Sequence, residues 1–165
     1  MLRIMKFLKT TFGRKINNNK TKKMSDKILI GIDPDVSKSG VAFLKDNNLE
    51  LQNLTFFELF DFLKFYKETE IKPTVYVECG FLNKSNWHVK EGFNSKTTAQ
   101  IGNRTGANHE VARKIVEMCI YLGLPYFKIK PTKTKITNDY FKKITGLNIR
   151  TNQEQRDAFM LIFGR

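Results

Sequence analysis

Four acidic side chains in this sequence have positions that would let them act together. Asp33 ends an apolar run, Ile28–Ile32, and Glu78 ends a second run, "TVYV". Asp157 lies beside the apolar letters "AFMLIF" near the C-terminus, and Glu154 lies three residues earlier. Residues three apart share one face of a helix, so this second pair is expected to point the same way.

Converging carboxylates point to metal chemistry, because several of them cannot all stay ionised at close range without cations. Ligand sets made only of oxygen select hard ions such as Mg²⁺ or Mn²⁺. Two such ions about 4 Å apart form a clamp for in-line phosphodiester hydrolysis. The pattern therefore predicts a hydrolase with two Mg²⁺ ions per site, for which Mn²⁺ could substitute.

Three of the four acids also have a purely structural interpretation, and these stay open. Asp33 precedes a proline and could form a turn. Asp157 could be a solvated helix residue paired with Arg156 or with a nearby lysine. Glu154 has capping-box spacing from Thr151 and could cap the last helix instead of binding metal. The combination of a strand-end Asp, a strand-end Glu and a helical Asp favours the metal site.

The elements that must position these acids can be predicted from periodicity and turn signals. An antiparallel meander over Ile28–Asp33, Val41–Lys45 and Leu49–Gln52 is followed by alternating helices and strands. The expected later elements are a helix capped by Thr55 and Glu58, a buried strand "TVYVE", a long polar loop Cys79–Lys96, a helix Thr98–Leu122 closed by Gly123, a strand "PYFKIK", a short helix in "ITNDYFKKITG", and a last helix from near Thr151 to the end. This order predicts an α/β fold in which one mixed sheet has helices on both faces.

The charge distribution suits a protein that binds a polyanion. The chain has 165 residues and a net charge of +13, divided as +8 over residues 1–25, −4 over 26–78 and +9 over 79–165. A basic half beside an acidic half fits a polyanion surface next to a cation site, although a solvated basic face is the plain alternative. Two cysteines form no disulfide or zinc pattern, so we expect a reducing, cytoplasmic location. No apolar run reaches the length of a membrane span.

The first 25 residues have a composition unlike that of the rest. They hold eight Lys or Arg and no acid, which predicts a disordered basic tail before a domain over residues 26–165. Two interpretations of the tail stay open. It could be an arm that binds nucleic acid, or it could precede the true start of the domain at Met24.

Three motifs together resemble the RuvC-type Holliday-junction resolvases of the ribonuclease H-like superfamily. "GIDPDVSKSGVAF" resembles their first motif, "VYVECGF" their second strand, and "QEQRDAFML" their last motif. The resemblance extends over about Ile28–Gly164. It departs from the family pattern at Asp35, where Gly is usual, and at Glu154, where Asp is usual.

The resemblance implies a five-stranded ribonuclease H-like sheet and a homodimer that cuts opposed strands of a four-way DNA junction. It implies that the metal-binding catalytic acids are Asp33, Glu78, Glu154 and Asp157. Phe81 would be the aromatic residue at the junction centre, and Lys142 or Lys143 would contact phosphates near the scissile bond. The basic residues expected on the DNA surface are Lys84, Lys130, Lys133, Lys135, Lys142 and Lys143.

Two other functions fit parts of the sequence. A non-catalytic protein could bind branched DNA with the same fold, although it would gain nothing from clustered acids near phosphates. The turn in "GIDPDVSKSG" also resembles the phosphate loop of sugar kinases and actin-like ATPases. Those proteins duplicate the fold, and 165 residues are too few for two copies.

Overall fold

A computed structural model of the chain describes residues 27–46, 48–83 and 94–165. The strands are β1 (Ile28–Asp33), β2 (Ser39–Lys45), β3 (Asn48–Leu54), β4 (Thr74–Glu78) and β5 (Tyr126–Ile129). The α-helices are α1 (Phe56–Phe65), α2 (Ser95–Leu122), α3 (Asn138–Thr145) and α4 (Gln153–Met160), and one 3₁₀ turn spans Gly80–Leu82. The predicted tail over residues 1–25 lies outside the described residues.

The strands form one mixed sheet in the order β3-β2-β1-β4-β5. β2 runs antiparallel to β1 and β3, whereas β1, β4 and β5 are mutually parallel. β1 and β4 are neighbours in the sheet, although β2, β3 and α1 lie between them in the sequence. The predicted α/β fold with one mixed five-stranded sheet is confirmed.

Side chains alternate across the sheet and so build two separate cores. Residues such as Ile30, Ile32 and Val77 point to one face, where they pack against buried side chains of α1 and α2. Leu29 and Tyr76, one position out of phase, point to the other face and pack against α3 and α4. Both faces are therefore covered by helices, as the sequence predicted.

Helix α4 lies unusually close to the sheet because two glycines face it. A Cβ atom at Gly31 would lie 2.0 Å from the carbonyl oxygen of Ala158, and one at Gly40 would lie 2.2 Å from that of Glu154. Real Cβ atoms do not approach backbone that closely, so only glycine allows this contact. The glycines thus fix how near α4 comes to β1 and β2.

Several boundaries differ from the prediction. Helix α2 begins at Ser95 rather than Thr98, because the Asn94 side chain accepts a hydrogen bond from the Thr97 backbone N–H. The predicted loop over Cys79–Lys96 is correspondingly shorter, and its residues 84–93 lie outside the described residues. Helix α4 ends at Met160 and gives way to turns. The capping box of Thr55 and Glu58 is confirmed.

No helix in the described part of the chain is both long enough and apolar enough to cross a membrane.

Candidate active site

Asp33 and Glu78 stand side by side at the carboxyl ends of two neighbouring strands. The parallel register pairs Ile32 with Val77, so the next residue of each strand is an acid. Alternation along both strands turns the two acids towards the face on which α4 packs. Their proximity follows from strand register alone.

Helix α4 supplies the other two acids from directly above the end of β1. Gly40 pairs with Asp33 across β1 and β2, and the backbone of Glu154 rests on Gly40. The absence of a side chain at Gly40 therefore lets the first turn of α4 approach Asp33. Asp157, one turn further along, is buried, with 8% of its surface exposed.

Glu154 does not cap its helix, so the alternative interpretation of a capping box with Thr151 is wrong. The cap is formed one residue later, by Asn152 and Gln155, whose side chains bond reciprocally to each other's backbone N–H groups. Thr151 instead donates its N–H and its hydroxyl to Asn138. The carboxylate of Glu154 is thereby left available to the cleft beside it.

One cleft of about 870 Å³ brings all four acids together. Its lining includes Asp33, Glu78, Glu154 and Asp157, and also Lys133 and Lys135 from the segment after β5. Three sequence-distant parts of the chain, namely β1, β4 and α4, thus deliver carboxylates to one space.

Burial and mutual repulsion oppose ionisation of the strand-end acids. Burial, reinforced by the charges of Glu78 and Asp157, raises the pKa of Asp33 from 3.8 to about 8. Burial also raises the pKa of Glu78, an effect that Lys135 partly offsets. A cation entering the cleft would relieve both penalties, because it favours the charged form of each group.

Asp157 is ion-paired with Lys135, whose ammonium donates to Oδ2 of the carboxylate. Burial lowers the pKa of Lys135, but the bond to Asp157 and the charges of Glu78 and Asp33 raise it above its ordinary value. The alternative interpretation that Asp157 pairs with Arg156 is wrong. The Arg156 guanidinium donates to the backbone oxygens of Ile136 and Thr151 instead.

The turn after β1 is organised by Asp35, the residue that departs from the family motif. Its Oδ1 accepts hydrogen bonds from the backbone N–H groups of Ser37 and Lys38, and its own N–H donates to Ser39 Oγ. The next N–H of this turn, that of Val36, donates to Asn108 Oδ1 on α2. Asp35 therefore acts as a turn former in this structure.

Helix α2 forms a second wall of the cleft that the sequence reasoning missed. Arg104, Asn108 and His109 all line the cleft. His109 packs over Gly80, where a Cβ atom would come within 2.7 Å of its ring. Burial and the nearby charge of Arg113 lower the pKa of His109 below its ordinary value. The polar residues at spacings of four and five in α2 were the available signal.

The remaining predicted DNA contacts are placed elsewhere. Phe81 is half-buried, with the Arg113 guanidinium 4.8 Å from its ring centroid and the His109 ring at its edge. Lys130 and Lys143 are exposed and Lys142 is half-buried, and these three do not line the cleft. Lys84 lies outside the described residues.

The donor chemistry of the cleft fits a hard divalent cation. Its acids offer only oxygen, the donor that Mg²⁺ and Mn²⁺ prefer. Within the described residues, no three His, Cys, Asp or Glu side chains already stand close enough together to hold one ion. Metal binding would therefore require these side chains to adjust, and the ion pair between Lys135 and Asp157 is the contact most directly in the way.

Comparison with known proteins gives similarities of structure only. No family model matches the sequence, and neither does any curated protein. Among solved structures, the chain is similar to RuvC of Thermus thermophilus in complex with a Holliday junction substrate. The TM-score is 0.45 and the identity is 14%, over 82% of this chain and 89% of that one.

A second Thermus thermophilus RuvC structure is similar with a TM-score of 0.42 and 13% identity, over 81% of this chain and 90% of that one. These structures are of the kind that the sequence motifs resemble.

Proposed function

We propose that the protein is a metal-dependent endonuclease that resolves four-way DNA junctions. The observation that carries this proposal is the convergence of Asp33, Glu78, Glu154 and Asp157 on one cleft that also holds lysines. Acids alone would repel a phosphodiester, and lysines alone would only bind one. Both together suit a site that holds cations against a phosphate.

In this proposal the four acids are the ligands of two divalent ions, Mg²⁺ or Mn²⁺. When bound, such ions activate water for attack and stabilise the leaving oxygen. Asp33 and Glu78 would hold their positions through strand register, and Asp157 through its hydrogen bond from Gln153. Burial of these acids makes their unneutralised state costly and so favours cation capture.

The basic residues would hold the DNA backbone. Lys133 and Lys135 line the cleft, and the exposed Lys130 and Lys143 and the half-buried Lys142 would extend the positive surface beyond it. Contacts of this kind supply affinity and salt dependence rather than sequence choice. Lys84 and Phe81 would complete the DNA surface near the branch point.

Resolution of a four-way junction requires nicks in two opposed strands. Each chain has one cleft of this composition in its described part. We therefore propose a homodimer that presents two clefts to one junction. Sedimentation of the protein alone and in complex with DNA tests this expectation. A protein that is monomeric in both states would contradict it.

The activity test uses matched substrates. A four-way junction, a flap and a linear duplex of the same sequence are incubated with the protein, with and without Mg²⁺ or Mn²⁺. Metal-dependent, symmetrically paired nicks confined to the junction are expected. Cutting of every branched substrate would indicate a broader debranching nuclease, and cutting of the linear duplex at an equal rate would contradict structure-specific cleavage.

A non-catalytic junction-binding protein is the second candidate. The observation in its favour is the ion pair between Lys135 and Asp157, which neutralises one acid without any metal. Such a protein would bind junctions equally well in chelator and in Mg²⁺ and would cut none of them. The two candidates thus separate in one assay.

A further inference from the structure

Lys135 lines the cleft together with the four acids. Its ammonium is bonded to Asp157, and the charges of Glu78 and Asp33 also act on it. One cation of the chain therefore faces three of the four acids. A lysine contributing only to a DNA surface would point its ammonium outward, away from acids that repel phosphate.

The surroundings of Asp157 show which contact can be exchanged. Gln153 Nε2 donates to Asp157 Oδ1 at 2.8 Å, and the Gln153 Oε1 accepts from Arg156. Arg156 is itself fixed by backbone oxygens of Ile136 and Thr151. The Oδ1 side of Asp157 is thus held by a hydrogen-bonded network, whereas its Oδ2 accepts from the end of a lysine side chain, its one hydrogen-bond partner among the described residues.

Lys135 is also able to leave. It lies in the segment 130–137, which contains no helix or strand, and 49% of its side chain is exposed to solvent. A lysine has a long, flexible stem, and its strongly hydrated ammonium loses little by returning to water. The braced acid can therefore stay in place while its counter-ion moves.

We propose that Lys135 is an exchangeable counter-ion that neutralises the acid cluster in the metal-free protein and is displaced when a divalent cation binds. This inference rests on the proposed function, since the displaced ammonium would then be free to contact a phosphate of the DNA. The arrangement agrees with the absence, among the described residues, of any three acids already assembled around one point. It predicts competition between the lysine and the metal for Asp157.

The test measures metal binding rather than cleavage. Binding of Mn²⁺ to the full chain is followed by calorimetry for the wild type, Lys135→Met and Lys130→Met. Lys130 is exposed in the same segment and does not line the cleft, so its removal controls for the loss of one positive charge. The affinity of Lys135→Met is expected to rise about tenfold, and that of Lys130→Met less than about twofold.

A second variant controls for loss of the folded structure. Lys135→Arg keeps the positive charge and is expected to bind Mn²⁺ within about threefold of the wild type. In chelator, Lys135→Met should melt at a lower temperature than either Lys130→Met or the wild type, because the acids lose their counter-ion. An unchanged or weaker Mn²⁺ affinity in a folded Lys135→Met protein would overturn the inference.

The outcome is separable from that of the proposed function. If Lys135→Met binds Mn²⁺ more tightly but the wild type cuts no branched DNA, the counter-ion role stands and the nuclease proposal fails. If the wild type cuts junctions but the affinity of Lys135→Met is unchanged, the nuclease proposal stands and the counter-ion role fails. Absence of Mn²⁺ binding by every protein would overturn both.

Discussion

The metal-free fold opposes ionisation of Asp33, so replacing this carboxyl group with a neutral side chain should stabilise the protein. The variant is Asp33→Asn, studied in chelator. Asparagine has nearly the same shape as a protonated aspartic acid, so it keeps the packing at the end of β1 and removes only the titration. We expect the free energy of unfolding of the variant to exceed that of the wild type at neutral pH.

The size of the effect follows from the pKa shift of this one carboxyl group. Burial, together with the charges of Glu78 and Asp157, raises the pKa of Asp33 from 3.8 to about 8. Between these values the native state retains a proton that the unfolded chain releases. The free energy of unfolding of the wild type therefore falls by up to about 1.4 kcal/mol per pH unit as the pH rises through this window.

That slope sets an upper limit of about 5 kcal/mol for the stabilisation by Asp33→Asn near pH 7.5, and about 2 kcal/mol near pH 5. Because Asp33 is half-buried and opens onto the cleft, solvent and side-chain adjustment will reduce these values. We expect the difference between the variant and the wild type to grow by about 2 kcal/mol between the two pH values.

The measurement is denaturant unfolding in chelator at each pH. Asp61→Asn serves as the control, because Asp61 is an exposed aspartate on α1 that does not line the cleft. Its effect should stay within about 0.5 kcal/mol at both pH values. A stability difference for Asp33→Asn that is independent of pH, or a variant less stable than the wild type near pH 7.5, would refute the account of the cleft electrostatics.

Two further substitutions test the positioning of the site and its second wall. Gly40→Ala should lower the free energy of unfolding by about 1–3 kcal/mol and displace α4. In the control Gly102→Ala, the added Cβ meets nothing within 4 Å, and the change should stabilise α2 by about 0.5–1 kcal/mol. Equal stability of the two variants would contradict the close contact of α4 with the sheet. Arg104→Ala should weaken junction binding and lower the slope of log affinity against log salt concentration by about one. Arg150 is exposed and lies outside the cleft, so Arg150→Ala should change both quantities less. Identical salt slopes for Arg104→Ala and the wild type would show that α2 does not contact the DNA.

The sheet and the pair of strand-end acids could be predicted because their signals are local. Apolar runs mark β1 and β4, and each run ends on an acid. Parallel neighbours then bring Asp33 and Glu78 together by register. The contact of Gly40 with Glu154 depends on the packing of α4, so the sequence showed that glycine only as part of a motif.

Other parts of the site could not be predicted, for identifiable physical reasons. Thr151–Glu154 and Asn152–Gln155 are both compatible with a capping box, and the choice of the second depends on the contact of Thr151 with Asn138, which is distant in sequence. The position of Lys135 depends on an irregular segment that crosses over the acids.

The second wall of the cleft could not be predicted for a different reason. Arg104, Asn108 and His109 were part of a helix whose polar residues fit a solvated face equally well. Only the packing of α2 beside the 3₁₀ turn at Gly80 brings them to the cleft.

The most direct test of the central claim is a junction-cleavage assay that compares the wild type with Glu78→Gln and Asp33→Asn, with junction binding measured in parallel. We expect the wild type to make paired nicks only with Mg²⁺ or Mn²⁺, and both variants to lose cleavage. Their junction affinity should stay within about threefold of the wild type, because both changes remove negative charge near the phosphates. Full cleavage by either variant, or cleavage by the wild type in chelator, would contradict it.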